Sequence, residues 1–321
     1  MSGMRVLVTG GVGFIGYHVT RALVARGDEV VVLDDFSDAP YPTKDKRRNA
    51  ADLAADVGAH VTVYEGCVTD RELVADLIAK VDGVIHLAGL AGVRPSFAAP
   101  ARYARVNVDG TANVIEAARA RGITRFAFAS SSSVYGNSTP LPASEESPAI
   151  APESPYAATK RGAELIASAI CRRAPDIACA ALRFFTVYGP RQRPEMAITL
   201  FTRALLAGQP ITMFGDGSMR RDFTHVDDIV RGVLAAFDRA PAGFRPYNLG
   251  SGAPIDLDGL VRAIGETVGV TPKVERVPQP IGDVDATFAN ITRARDELGC
   301  SPRIQLRDGL RTVLDWVRAH P

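Results

Sequence analysis

The sequence predicts an α/β fold, in which a doubly wound parallel sheet is joined to a smaller mixed α/β C-terminal lobe. Three observations lead there. The first half alternates short β-branched runs with helix-patterned stretches, a glycine-rich turn follows the first of those runs, and the alternation breaks after about residue 184 into pieces punctuated by proline and glycine.

Strands are expected at 6–9, 29–33, 61–64, 83–87, 125–129 and 178–184, where Val, Ile, Leu and Phe concentrate. The helix expected at 14–26 stops at Gly27, because glycine takes the left-handed conformation that ends helices at little cost. Asp70 is suited to N-cap a helix at 70–79, and a helix at 107–121 places Val108, Ala112, Ile115 and Ala118 on one stripe before Gly122. These are crossover helices between parallel strands. Residues 226–237 and 247–250 read as one more helix and strand returning to the sheet. The division is therefore discontinuous: 1–184 plus 224–250 form one domain, and 185–223 plus 251–321, with modest helices at 198–207 and 256–268, form the other. Lys44, Lys46, Arg47 and Arg48 read as a solvated loop or helix face.

Bulk properties narrow the function. A chain of 321 residues that is 46% hydrophobic fills a substantial core. With 37 basic and 36 acidic residues the net charge is +1, so no broad field exists to hold nucleic acid or an anionic membrane. No apolar run reaches the roughly 18 residues that a bilayer span needs. Met1-Ser2-Gly3-Met4 runs straight into the first strand without a signal-type segment, and Cys67, Cys171, Cys179 and Cys300 form no C-x-x-C pair, so reduced thiols in a cytoplasmic protein are expected. His18, His60, His86, His225 and His320 are scattered without metal-ligand spacing, and no metal site is expected. His86 reads as packed near the fourth strand and His225 as a local hydrogen-bonder.

Thr9-Gly10-Gly11-Val12-Gly13-Phe14-Ile15-Gly16 ends the first strand and opens the first helix, the context of a Rossmann-type dinucleotide site. Backbone at Gly10, Gly13 and Gly16 approaches a pyrophosphate without interference from Cβ, and the helix N-terminus meets it at Phe14 and Ile15 with free N–H groups. Asp34 closes the second strand 21 positions beyond Gly13. A carboxylate there accepts both adenosine ribose hydroxyls and repels a 2′-phosphate, which favours NAD over NADP. Tyr156 and Lys160, at i and i+4, share one face of a helix that begins near Pro155. A phenol of pKa about 10 is a poor base at neutral pH, but a neighbouring ammonium and a cationic nicotinamide favour phenolate. Ser130-Ser131-Ser132-Ser133 follows the fifth strand at the ligand-binding edge of such a sheet.

T-G-G-x-G-F-I-G, His86-Leu87-Ala88-Gly89, S-S-S-S-V-Y-G, Y-A-A-T-K and the Arg220 to Asp228 stretch together resemble the extended short-chain dehydrogenase/reductase family across nearly the whole chain. The stretch R-F-F-T-V-Y-G-P-R-Q-R-P-E-M-A from Arg183 resembles the substrate loop of its UDP-glucuronate 4-epimerases. That resemblance implies an NAD-binding Rossmann domain, a nucleotide-sugar-binding lobe, a UDP-sugar substrate and a homodimer formed through two exposed helices. It implies Ser131, Tyr156 and Lys160 as the catalytic set, with Leu87, Ala88, Gly89 and Asn107 added to the NAD contacts. It places Ser132, Ser133 and Arg94 beside the substrate, Thr186 and Arg193 on its carboxylate, Phe214 against uracil, Arg221 on the diphosphate and Asp283 on the uridine ribose.

Two departures from the family pattern stand out. Gly66 is followed by Cys67-Val68 where relatives carry an acid that meets adenine, and Ser132-Ser133 occupy the place of the acid pair of 4,6-dehydratases. The related decarboxylases carry a glutamate near Ser133, which this chain lacks. The expected reaction is NAD-dependent inversion of UDP-glucuronate and UDP-galacturonate at C4 through a 4-keto intermediate. The rivals are 4-epimerisation of a neutral UDP-sugar, UDP-sugar decarboxylation or dehydration, and a non-catalytic NAD-binding regulator, for which a tuned proton acceptor has no use.

Overall fold

The computed structural model of the chain describes residues 3–38, 41–278 and 286–320. The first part winds as β1 (Arg5–Thr9), α1 (Phe14–Ala25), β2 (Glu29–Asp34), α2 (Thr43–Val57), β3 (Val61–Glu65), α3 (Arg71–Ile78) and β4 (Gly83–His86). Short helices α4 (Val93–Ala98) and α5 (Pro100–Ala104) lead to α6 (Gly110–Ala120), β5 (Arg125–Ser131), α7 (Pro155–Cys171) and β6 (Ala178–Phe184). Next come β7 (Thr186–Tyr188), α8 (Ala197–Leu206), β8 (Ile211–Phe214), β9 (Arg220–Arg221), β10 (Phe223–His225), α9 (Val226–Arg239) and β11 (Gly243–Leu249). The chain finishes with β12 (Ile255–Asp256), α10 (Leu257–Val268), β13 (Val274–Val277), α11 (Thr292–Leu298) and α12 (Leu306–Ala319).

Seven parallel strands form one sheet in the order β11-β6-β5-β4-β1-β2-β3, the doubly wound class that the alternation of elements predicts. Successive side chains of a strand point to opposite faces, so β1 feeds two cores. Val6 and Val8 join Leu23 of α1 and Ile229 and Val233 of α9, whereas Leu7 joins Val74 and Leu77 of α3 and Val114 and Ile115 of α6. Burial on both faces is why these strands read as continuous apolar runs, and each such side chain contributes about 1.5–3 kcal/mol. The winding runs outward from β1 to β3, then restarts on the other side of β1 with β4. Loops leaving the carboxyl ends of β1 and β4 therefore diverge and open a crevice.

A third core lies away from the sheet. It joins Ile198, Phe201 and Leu205 of α8, Leu260 and Ile264 of α10, and Leu310, Val313 and Val317 of α12 over Ile211 and Met213 of β8. Helix α11 does not belong to it: Ala294 and Leu298 sit in the sheet-side core beside α9. The basic cluster lies on α2, and only part of it is solvated. Lys44 and Arg47 are exposed, but Lys46 is 8% exposed and points inward. The helix expected from 107 begins earlier, because α5 continues into α6 through a wide π turn at Arg105–Asp109 that buries Asn107. Among the described residues no helix is long and apolar enough to cross a membrane.

Candidate active site

The dinucleotide end is shaped by missing side chains. Gly10 turns the chain out of β1 with φ of 70°, and a Cβ there would meet the backbone N of Ala88 at 2.7 Å. A Cβ on Gly16 would lie 2.0 Å from the Gly10 carbonyl oxygen, so the passage from β1 into α1 closes only around bare Cα atoms. Gly13 precedes α1, and no side chain caps that helix. Its first N–H groups and the positive end of its dipole are left for an anion, and Gly13, Phe14, Ile15 and Gly16 all line a cleft of about 590 Å³. These residues fit a dinucleotide pyrophosphate.

Asp34 stands at the end of β2 on the cleft wall, 4% exposed, and accepts from the Phe36 N–H at 3.0 Å. Lys46 reaches it from α2 at 3.1 Å and Asp35 at 3.4 Å. Burial raises the Asp34 carboxyl above its usual range, and the Lys46 charge and the Phe36 N–H partly counter it. Lys46 also lines the cleft, as does Cys67 with Val68, where relatives carry an acid. Asp70 does not replace that acid, since it caps α3 by accepting from the Leu73 N–H.

The reaction centre is carried by α7. Ser154 caps this helix through the Ala157 N–H, Pro155 occupies its first turn, and Tyr156 and Lys160 follow on the cleft face. Lys160 donates from Nζ to the Ala129 carbonyl at 2.9 Å. Burial pushes its pKa down to about 8 against the Coulombic support of Glu164. Burial raises the Tyr156 phenol, while a hydrogen bond with Ser131 and the charge of Arg193 pull it down. Arg193 thus joins Lys160, one turn along α7, as a second cation in the cleft that holds the phenol. Ser131 also accepts the Ser133 N–H at 3.2 Å, which turns the chain after β5 so that Ser131, Ser132 and Ser133 all face the cleft.

Leu87, Ala88, Gly89, Arg94, Thr186 and Arg193 line the same cleft. Arg193 pairs with Glu195 at 3.2 Å. Arg221 lines an adjoining cavity of about 170 Å³ that shares Ser132, Ser133 and Thr186 with the first. Two of the expected contacts are not among the residues that line the cleft. Asn107 stands behind the wall, its Oδ1 accepting from Leu90 N at 2.8 Å and its amide donating to Leu90 O and Thr159 Oγ1 at 3.0 Å. Phe214 does not line the cleft; the Arg94 guanidinium covers its ring at 4.7 Å from the centroid. Asp283 lies outside the described residues.

His86 is packed as expected, joining β4 to β1 and α6 through Thr9 Oγ1 at 2.6 Å and Thr111 Oγ1 at 3.0 Å. Burial lowers its pKa to about 3. His225 bonds locally to the Asp227 N–H and also reaches Thr312 of α12 at 3.0 Å. Among the described residues no group of three or more His, Cys, Asp and Glu side chains is placed to hold a metal ion.

Residues 6–250 match the NAD dependent epimerase/dehydratase family. The chain is 40% identical over 334 residues to UDP-glucuronate 4-epimerase 4 of Arabidopsis thaliana, covering 98% of this chain and 75% of that protein. The UDP-glucuronic acid 4-epimerase from Bacillus cereus, solved in complex with UDP-glucuronic acid and NAD, has a TM-score of 0.91 at 32% identity, with 98% of this chain and 99% of that one covered. The dTDP-glucose 4,6-dehydratase DesIV from Streptomyces venezuelae, with NAD and TYD bound, reaches 0.90 at 32% identity over 99% of this chain and 98% of that one, so shape alone does not select the reaction. A glycine cradle at the β1–β4 opening, a tyrosine and lysine one turn apart on its wall, and a match running from β1 to the end of β11 all agree: the chain belongs to the NAD dependent epimerase/dehydratase family.

Proposed function

We propose that this protein interconverts UDP-glucuronate and UDP-galacturonate by inverting C4 through a 4-keto intermediate. The observation that carries this reading is Arg193, which stands on the wall of the cleft together with Thr186 and Tyr156. The carboxylate carried on C5 lies two bonds from the reacting C4, and a guanidinium at that place binds it through two parallel hydrogen bonds. Relatives named as UDP-glucuronate 4-epimerases support the same substrate.

What NAD supplies when bound is a reversible hydride acceptor for C4. Gly10, Gly13, Gly16 and the start of α1 hold its pyrophosphate, and Asp34 its adenosine ribose. Tyr156 takes the proton of the sugar 4-hydroxyl with Ser131 as relay and later returns it, and the ammonium of Lys160, together with the charge of Arg193, favours the phenolate this needs. The keto sugar is a β-keto acid, which loses carbon dioxide when the C5–carboxylate bond stands perpendicular to the ketone. Thr186 and Arg193 prevent that by holding the carboxylate. Ser132 and Ser133 offer no carboxyl to drive elimination of water.

On this reading the sheet domain, 1–184 plus 224–250, carries NAD, and the remainder apart from α11 carries the nucleotide sugar. Two exposed helices pair two copies in the cytoplasm, and Leu165 of α7, 55% exposed, is the kind of side chain such a contact covers. Incubation with UDP-glucuronate and no added cofactor should yield UDP-galacturonate, and NAD should appear on denaturation. Deuterium at C4 should return to the inverted product, and its loss would sink the mechanism. Tyr156→Phe should nearly abolish turnover with NAD retained. Arg193→Ala should weaken binding and release a pentose product; unchanged kinetics without pentose would remove its carboxylate role.

A further inference from the structure

The segment between β7 and α8 carries Gln192 and Arg193 into the cleft, and the residue before them points the other way. Arg191 has φ of 67°, in the left-handed region that a side chain enters only against a steric cost. Its guanidinium turns toward the sheet domain, donating from Nη1 to Asn49 Oδ1 at 2.5 Å and from Nη2 to Asp52 Oδ2 at 2.6 Å, both on α2. The guanidinium carbon also lies 3.9 Å from the ring centroid of Tyr17 on α1 and 4.6 Å from that of Trp316 on α12.

The backbone of the loop is tied to the same place. The Tyr41 hydroxyl donates to the Arg191 carbonyl at 3.0 Å, and His18 Nε2 lies 3.0 Å from the Pro190 carbonyl. Asn49 extends the connection to the glycine-rich turn by donating to the Val12 carbonyl at 2.9 Å. A planar fork held by two acceptors and stacked against two rings has one orientation, so the sheet domain dictates the conformation of the loop.

We propose that Arg191 is a positioning residue that locks the 189–196 loop onto α1 and α2, setting where Arg193 stands in the cleft it shares with Tyr156, in register with the glycine-rich turn. The functional part of this rests on the carboxylate role proposed for Arg193.

Arg191→Asn tests it, because asparagine tolerates the left-handed region while the fork is removed. The N–H groups of Gln192 and Met196 donate within the loop, to Gly189 O at 3.2 Å and Arg193 O at 3.1 Å. In the NAD-loaded variant their hydrogen exchange should rise about tenfold or more while α7 stays protected. The fluorescence of Trp316, the sole tryptophan, should change with it. Affinity for UDP-glucuronate should fall about tenfold relative to affinity for UDP. Asp52→Ala, at a half-exposed position, should shift all three readouts the same way by less.

If Arg191 acts through Arg193, the double variant Arg191→Asn/Arg193→Ala binds UDP-glucuronate no worse than Arg193→Ala alone. Losses that add overturn that route, and unchanged exchange across 189–196 overturns the lock itself. Should Arg193→Ala leave the preference for UDP-glucuronate over UDP-glucose intact, the carboxylate role of Arg193 falls, while the exchange measurement still decides the lock.

Discussion

Glu164 never meets the cleft, yet its neutralisation is expected to be among the most damaging single changes in the protein. It is fully buried on α7, one turn beyond Lys160, and accepts from Arg183 Nε at 2.9 Å and Nη2 at 2.8 Å, Arg161 Nη1 at 2.9 Å and the Ser130 hydroxyl at 2.6 Å. Burial alone would raise this carboxyl, but the hydrogen bonds and charge of Arg183 outweigh it and hold the pKa below the usual 4.5. Glu164→Gln keeps the shape and turns one acceptor oxygen into an amide nitrogen facing guanidinium donors. Arg183, 2% exposed, is then a buried cation without its counter-charge, which costs about 3–5 kcal/mol. A depressed carboxyl pKa contributes stability that is present above about 4.5 and lost as pH falls through the folded value. Urea unfolding of the NAD-loaded proteins, at neutral pH and through the acid range, should therefore show a less stable variant with a shallower acid slope. Glu164 also supports the charge on Lys160, so the alkaline fall of activity should move to lower pH in the variant. A loss under about 1 kcal/mol, in the range of an exposed ion pair, with the acid slope unchanged, would refute this account of the pair.

Three further outcomes are expected. His86, at a pKa of about 3, stays neutral when folded but charges on unfolding below about 6.5, so stability falls between those values as pH drops, by up to about 1.4 kcal/mol per pH unit. His86→Gln should keep bonds to Thr9 and Thr111 and flatten that limb of the unfolding curve; identical limbs would discard the assignment. Gly89→Ala sets a Cβ 3.0 Å from both Asn107 Oδ1 and Lys160 Nζ, and should lower kcat at least about tenfold with the circular dichroism unaltered, an expectation that wild-type kcat would dismiss. Lys46→Met removes the cation that counters burial at Asp34, so this carboxyl should protonate at higher pH and NAD should bind about fivefold to thirtyfold more weakly; calorimetry showing equal affinity would rule that out.

What could be read before the structure was local. Strand runs, the glycine turn and the Tyr156–Lys160 pair each declare themselves within a few residues, because spacing alone assigns them to a face or a turn. The α12 stripe of Leu310, Val313, Leu314 and Val317 carries an equally local signal. Partner choice across the chain was not legible. A lysine on a polar helix has the same pattern whether it points outward or, like Lys46, inward onto an acid twelve residues back. Arg191 meets Asn49 and Asp52 across 142 and 139 residues, and no periodicity signals such a meeting. Asn107 resembles a cofactor contact by its place in a motif, and nothing local announces that its buried amide also ties the Leu90 backbone.

The buried charges beneath the cleft also govern the order in which the chain can mature. Glu164 and Arg183 are 19 residues apart and meet as soon as α7 docks on β6. The third arm of the guanidinium, however, donates to the Tyr135 hydroxyl, and that hydroxyl donates to Asn248, 113 residues further along on β11. Asn248 in turn donates to the Ala143 and Asn290 carbonyls. The network around Arg183 is therefore complete only once β11 pairs with β6 at the edge of the sheet. Nascent chains stalled before β11 should be held by chaperones or degraded, although nearly every catalytic group has already been translated.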